Sequence, residues 1–452
     1  MERFAMNRLL EWSEQKARKP LIIRGARQVG KTWLAREFGQ KHFEQTIYLN
    51  FDLDANPESG SLLHSIFEGS LDPRRIISAL EALFEEKIDP ERSLLILDEI
   101  QEQPRALNSL KYFNELTPEY HIIAAGSHLG ITLHKGESFP VGNVSMMYLY
   151  PFSFYEFLLA LGRNRLVALI SKRDWETIRL LHEELTGLLK YYYCIGGMPE
   201  VVASHQEGQS LQYIRSLQRD ILELFRADFS KHIPTNQLAR VWQIWDSIPV
   251  HLSKENKKLI WGAIRQGARA KEYEEALQWL YDYGLAYRIS HIEKPGKPLE
   301  SYVNPDNFKL FMLDVGLLGA MAGLDMRTVL DGDKVFTEFK GALTEQYVCQ
   351  ELFLQFEGGH YGRRPYYWTG KQAEIDFVAL LDDSITPIEV KAAENLRSKS
   401  LKSYIDRYAP ACAMRVSLSP YREQENLVNL PLYGVREAEA VVHDTITSNT
   451  QK

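Results

Sequence analysis

Leu21-Ile22-Ile23-Arg24-Gly25-Ala26-Arg27-Gln28-Val29-Gly30-Lys31-Thr32 is the stretch that decides how the front of this chain folds. A short apolar run leads into a glycine-bounded loop, and a helix is expected over Lys31 to Phe38. The eight residues Gly25, Ala26, Arg27, Gln28, Val29, Gly30, Lys31 and Thr32 satisfy G-x-x-x-x-G-K-[ST] at every fixed position. Each fixed position has a physical reason. Glycines let the backbone curl so that its N–H groups point inward at phosphate oxygens. The helix that follows adds the positive end of its dipole to the same anion cradle. Lys31 is expected to reach the β- and γ-phosphates of ATP, and the Thr32 hydroxyl to ligate Mg²⁺.

Outward from the loop, strands and helices alternate. Strands are expected at Thr46 to Phe51, Leu94 to Leu97 and Ile122 to Ala125, short apolar runs separated by helix-length segments. That spacing predicts a buried parallel sheet. Leu94-Leu95-Ile96-Leu97 delivers Asp98 and Glu99 to the carboxyl edge of that sheet, where ligands sit in open α/β folds. Asp98 is the expected Mg²⁺ holder and Glu99 the expected base for the attacking water. Ser127, at the end of the next strand, is placed to sense the γ-phosphate or the lytic water, and the plain alternative is a turn serine. Arg105 is a weak candidate for an arginine finger.

The bulk numbers bound the alternatives. A chain of 452 residues calls for several domains, and 45% apolar with 25% charged residues is the balance of a folded protein rather than a disordered one. The net charge of -7 gives no global attraction to nucleic acid or anionic lipid, so contact with DNA needs a local basic surface. Cys194, Cys349 and Cys412 are scattered, without the pairing of a zinc cluster or a disulfide framework. The first twenty residues lack an apolar signal core, and no stretch approaches the roughly 20 apolar residues that span a bilayer. A cytoplasmic protein that makes no membrane contact is the expectation.

From about Pro151 the pattern turns helical, with helices expected at Phe154 to Leu161 and Arg173 to Tyr193 and a break at Gly196-Gly197-Met198-Pro199. Asn236 to Ile292 reads as three short helices and a β-rich stretch, the order of a winged helix whose last helix is Lys271 to Tyr283. Behind it come a helix from Glu338 to Phe353 and strands at Tyr366 to Trp368, Glu374 to Leu381 and Pro387 to Ala392. Asp382-Asp383-Ser384 connects the last two as a hairpin. The fold class is therefore α/β. The expected division is a P-loop domain at 1–160, a helical lid at 161–235, a winged-helix-like domain at 236–300 and an α+β domain at 301–440.

The hairpin carries a second constellation. Residues two apart on a strand share a face, so Glu389 and Lys391 project together, and Asp376 on the partner strand can come within a few ångströms of them. Neighbouring carboxylates repel, and a divalent cation would resolve that repulsion while Lys391 orients a water. Glu345, on the preceding helix, could complete the metal shell. The plain alternative is a salt-bridge ladder on a solvated strand face. Arg397, Lys399, Lys402 and Arg407 follow as a basic helix, and Arg265, Arg269 and Lys271 precede the last winged-helix helix.

Four of these runs, LIIRGARQVGKTWLAREFG, LLILDEIQ, AAGSH and FPVGNVSMMYLYPFSFYEFL, together resemble a bacterial and archaeal AAA-type ATPase family related to the STAND NTPases. In that family a C-terminal domain of unknown function follows the ATPase. The chain departs from it at Asn143, where a basic residue usually follows the glycine of PVG. Asp376, Glu389 and Lys391 resemble the PD-(D/E)xK restriction-endonuclease-like pattern, with Glu345 as its helical acid. The resemblance implies a metal-dependent nuclease site. The leading expectation is thus an ATP-hydrolysing switch or motor acting on a DNA-directed C-terminal domain, with ATP, ADP, DNA and a second copy of the chain as candidate partners. The alternative is a nucleotide-gated signalling or scaffold protein whose back domain binds a partner and cuts nothing.

Overall fold

The computed structural model describes residues 2–53, 57–126, 139–331, 334–356, 363–392 and 398–450. They form two compact units. The first runs to Tyr150 and takes in Asp282–Gly284, and the second begins at Pro151.

The first unit is built on five parallel strands: β1 (Leu21–Arg24), β2 (Gln45–Asn50), β3 (Ser93–Asp98), β4 (His121–Ala125) and β5 (Ser145–Tyr148). Their order is β2-β3-β4-β1-β5, every pairing parallel. β1 and β3 are buried along their whole length, as strands covered on both faces must be. Ile22, Leu95, Leu97, Ile122 and Ala124 pack with Phe51, Phe67 and Leu110 in one core. The sheet therefore places the loop after β1 and the acids at the end of β3 on its carboxyl edge. The four expected strands are present. β5 is an addition, paired with β1 from Leu21↔Ser145 to Arg24↔Tyr148.

The second unit joins a helical section to an eight-stranded mixed sheet. The region expected as one helix over Arg173 to Tyr193 is two, Trp175–Leu180 and His182–Ile195, with Leu181 out of helical geometry between them. The Gly196 break is present, with φ 74° at Gly196. Asp314 holds the turn by accepting the Gly197 N–H at 2.6 Å. The sheet comprises β6 (Ala286–Ile292), β7 (Val303–Met312), β8 (Tyr366–Thr369), β9 (Glu374–Leu381), β10 (Ser384–Val390), β11 (Ala413–Ser417), β12 (Arg422–Gln424) and β13 (Leu427–Pro431). Their order is β12-β13-β11-β10-β9-β8-β6-β7.

The expected winged helix is not a separate module. Residues 236–292 hold one long helix, Thr235–Leu252, a single turn at Trp261–Ile264 and the helix Ala270–Asp282. β6 and β7 do form an antiparallel pair, but β6 also pairs in parallel with β8. A free wing would leave one edge of β6 with unpaired N–H and C=O groups, and joining β8 satisfies part of that edge. The division expected at 300/301 falls between β6 and β7, two hydrogen-bonded neighbours. The hairpin between β9 and β10 is present, with Asp382 and Asp383 both at positive φ (45° and 56°) as a two-residue turn requires.

Candidate functional site

In the first unit the site grows from the turn after β1. Gly25 has φ 151° and Gly30 φ 90°. A Cβ at Gly25 would run into the Leu149 carbonyl oxygen, so the close approach of these backbones depends on glycine there. Gly30 is also the N-cap of the helix Lys31–His42. Lys31 folds back over the loop, its Nζ donating to the carbonyls of Gly25 at 3.0 Å and Ala26 at 2.8 Å. Ala26 and Val29 are buried under the loop, and Gln28 sits at φ 66°. Arg27 is exposed.

Register carries Asp98 to this loop, since β3 lies between β2 and β4 and ends level with Asn50. Asp98 is 4% exposed, and its carboxylate is held by neutral donors. Thr32 Oγ1 donates to Oδ2 at 2.8 Å, Tyr48 Oη to the same oxygen at 2.7 Å, and the Glu99 N–H to Oδ1 at 3.1 Å. Burial and the bond to Asp98 push the Tyr48 hydroxyl well above its ordinary pKa, so it remains a proton donor. The Arg36 guanidinium covers the Tyr48 ring at 4.9 Å. Glu99 adopts the left-handed region (φ 49°, ψ 42°), which is costly for a non-glycine residue and typical of functional sites. Its carboxylate accepts from Gln101 Nε2 at 2.7 Å.

These residues fit a magnesium-bound triphosphate. The loop is walled by glycine and followed by a helix N-terminus, and a hydroxyl and a carboxylate meet beside it. Ser127 lies outside the described residues. Arg105 is tied down locally, its Nε donating to the Phe67 carbonyl at 3.1 Å. Asn143 accepts from Asn114 Nδ2 at 2.8 Å. Tyr48 is the member that the sequence reading passed over, although its place two residues before Asn50 on the strand next to β3 was a usable signal.

The second constellation is arranged differently from the expectation. Asp376 and Glu345 do come close, but a lysine stands between them. Lys309, on β7, is 1% exposed, and its Nζ lies 2.6 Å from Glu374 Oε1, 3.9 Å from Glu345 Oε2 and 4.0 Å from Asp376 Oδ1. Lys257 Nζ holds the other Glu345 oxygen at 2.6 Å. Asp376 Oδ2 accepts the Val390 N–H at 2.8 Å. Glu389 is occupied elsewhere, with Lys391 Nζ at 2.6 Å from Oε1 and the Leu401 N–H at 3.2 Å from Oε2. Burial and the Glu345 charge push the Asp376 carboxyl up to about 7, against the pull of Lys309 and Lys257. Burial alone would lower the Lys309 pKa, but Glu345, Glu374 and Asp376 outweigh it and keep the ammonium charged.

The three acids expected as a metal shell are thus divided, with Glu345 and Asp376 flanking Lys309 and Glu389 bonded to Lys391 and the Leu401 N–H. Among the described residues no group of three or more acids, histidines or cysteines is placed to hold a metal ion. The donor set fits an ammonium, and a divalent ion in its place would face Lys309 at contact distance. Of the basic helix, Lys399, Lys402 and Arg407 belong to Lys399–Tyr408, and Arg397 lies outside the described residues. No helix among the described residues is long and apolar enough to cross a membrane.

No curated protein matches the chain. Among solved structures, the Aeropyrum pernix ORC1 protein in complex with DNA matches at 12% identity over 74% of this chain and 93% of its own, with a TM-score of 0.28. Drosophila ORC bound to AT-rich DNA and Cdc6 matches at 13% identity over 71% of this chain and 93% of its own, with a TM-score of 0.20. Residues 186–328 match a Domain of unknown function (DUF8612), and residues 340–433 match a Domain of unknown function (DUF4143). Residues 17–158 match the AAA domain family, so the chain carries an AAA-family P-loop ATPase domain followed by two domains of unknown function.

Proposed function

We propose that the protein binds ATP with Mg²⁺ in the loop from Gly25 to Thr32 and hydrolyses it. The observation that carries this reading is the meeting of Thr32 Oγ1 and Asp98 Oδ2 at 2.8 Å beside a glycine-walled loop. Backbone N–H groups from Ala26 to Thr32 would cradle the phosphates, and Lys31 would exchange its carbonyl partners for phosphate oxygens. Thr32 and Asp98 would hold Mg²⁺, which supplies charge neutralisation on the phosphate oxygens. Glu99 would accept a proton from the attacking water, and Gln101 orients its carboxylate. Tyr48 would keep Asp98 aimed at the loop by donating to Oδ2.

The test is a turnover assay with bound nucleotide measured in parallel. Glu99→Gln should retain ATP while turnover falls by roughly a hundredfold or more. Undiminished turnover in folded Glu99→Gln protein would remove Glu99 from this role.

For the second unit, the lysine at the centre of its carboxylates favours the binding alternative over phosphodiester cleavage. On this reading nucleotide state in the first unit regulates what the second unit holds. Incubation with plasmid and linear DNA plus Mg²⁺ or Mn²⁺ should yield no cleavage product. Cleavage abolished by Asp376→Ala and Lys391→Ala would restore the nuclease reading. DNA retention that weakens steeply with salt would make DNA the partner, because phosphate contacts release counterions.

A further inference from the structure

β7 ends in Phe308-Lys309-Leu310-Phe311-Met312, and every residue of this run is buried. One ammonium inside such a strand has to be matched, because an isolated buried charge costs several kcal/mol. The match comes from three carboxylates on two other elements. Glu345 comes from the helix Lys334–Gln355, and Glu374 and Asp376 come from alternate positions on one face of β9. The Tyr367 ring on β8 lies 5.0 Å from the same Nζ. Lys257 adds a second ammonium on Glu345, so two cations of the chain itself stand among the three carboxylates, and Glu345 Oε2 has only the distant Lys309 at 3.9 Å.

We propose that Lys309 is the resident cation of this carboxylate nest, doing internally what a divalent ion would do in a metal-dependent site of the same outline. The second unit then folds and holds its partner with no divalent metal. Lys309 also ties β7, at the edge of the sheet, to β9 and the long helix. Its loss leaves Glu374 and Asp376 on β9 without their ammonium, while Glu345 keeps Lys257, and loosens the tie between β7 and β9. Asp376 is the weakest-paired of the three, with Lys309 at 4.0 Å and one backbone N–H, whereas Glu374 has the ammonium at 2.6 Å.

The experiment uses the full chain without nucleotide. Mn²⁺ is titrated into wild-type protein by electron paramagnetic resonance, and thermal melts are recorded with chelator and with about 1 mM Mn²⁺, since any ion bound by the folded state alone would raise the melting temperature. The expected result is no saturable ion and no shift of melting temperature. A saturable ion lost in Asp376→Asn but kept in Asp98→Asn would overturn the proposal. Lys309→Met is then melted in the same way. It should melt roughly 10 °C lower, as expected for breaking a buried ion cluster, and Mn²⁺ should restore part of that loss by entering the freed carboxylates. A variant with unchanged melting temperature would also overturn the proposal. Because the ion titration does not use Lys309→Met, the idea can fail even if that variant does not fold.

Discussion

Each unit of this protein sets carboxylates against its sheet, and the two surround them with different partners. Asp98 in the first unit is met by hydroxyls and an N–H, neutral donors that can turn away when a cation arrives. Glu345, Glu374 and Asp376 in the second unit are met by ammonium groups, which cannot share the space with a divalent ion. On the proposed reading, the carboxylate met by neutral donors is the one that takes a metal ion, and the carboxylates met by ammonium groups do not. What decides is the charge of the partner, which a motif of acids does not include.

The strongest way to break this comparison is at Lys31. Lys31→Ala should cost the first unit at least about a hundredfold in ATP affinity by calorimetry, from the loss of charge-assisted contacts to phosphate. The second unit's urea transition should stay where it is. Retained affinity would mean that the loop is not the nucleotide site. The next largest effect is at the paired acids. Asp98→Asn should raise the Mg²⁺ concentration needed for turnover by roughly tenfold or more, while Asp376→Asn should change ATP turnover less than about twofold. An equal effect from both would erase the distinction between the sheets.

A third comparison lies within the second unit, where burial raises Asp376 beside Lys309 and also raises two acids that face backbone N–H groups. Burial pushes Glu351 up to about 7, against the pull of the Phe154 N–H that it accepts at 2.8 Å and of Arg436, with Glu156 adding to the rise. Burial likewise pushes Asp314 up to about 6, against the N–H groups of Gly197, Leu317 and Gly316. A raised carboxyl binds its proton more tightly folded than unfolded. Its contribution is therefore complete below about pH 4 and is lost as pH rises through about 7. Chemical denaturation from pH 4 to 8 should show this loss, and Glu351→Gln should flatten it by up to about 3 kcal/mol. An unchanged slope would mean that Glu351 is not the group that titrates. The smallest expected effect is at Tyr48. Tyr48→Phe removes one hydrogen bond to Asp98, worth about 1 kcal/mol, and should weaken Mg²⁺-dependent turnover a few-fold.

The sequence made the first unit readable because its information is local. Gly25, Gly30, Lys31 and Thr32 fix a turn within eight residues, and Leu94 to Leu97 reads as a short buried strand that delivers Asp98 and Glu99 to its end. β5 was not legible, since Ser145-Met146-Met147-Tyr148 lacks the composition of a strand and is held by its pairing with β1. The break at Leu181 carries no glycine or proline to announce it. In the second unit the hairpin at Asp382-Asp383 was readable from its turn, and the strand faces of Asp376 and Glu389 from alternation. Lys309 was not, because its partners lie far along the chain on another strand and a helix. The available signal was a lone charge in an apolar run, Phe308 to Met312, which demands a counterion without saying where it is. Likewise the wing could be recognised as a hairpin, but its attachment to β8 depends on a pairing between distant segments.

The most direct test of the contrast is a count of Mn²⁺ ions bound per chain, measured with and without a non-hydrolysable ATP analogue. The account predicts one ion with the analogue and none without it, because on the proposed reading the hydroxyl-matched carboxylate takes its cation together with a triphosphate. An ion bound without nucleotide at Asp376, or none bound with it, would contradict the account.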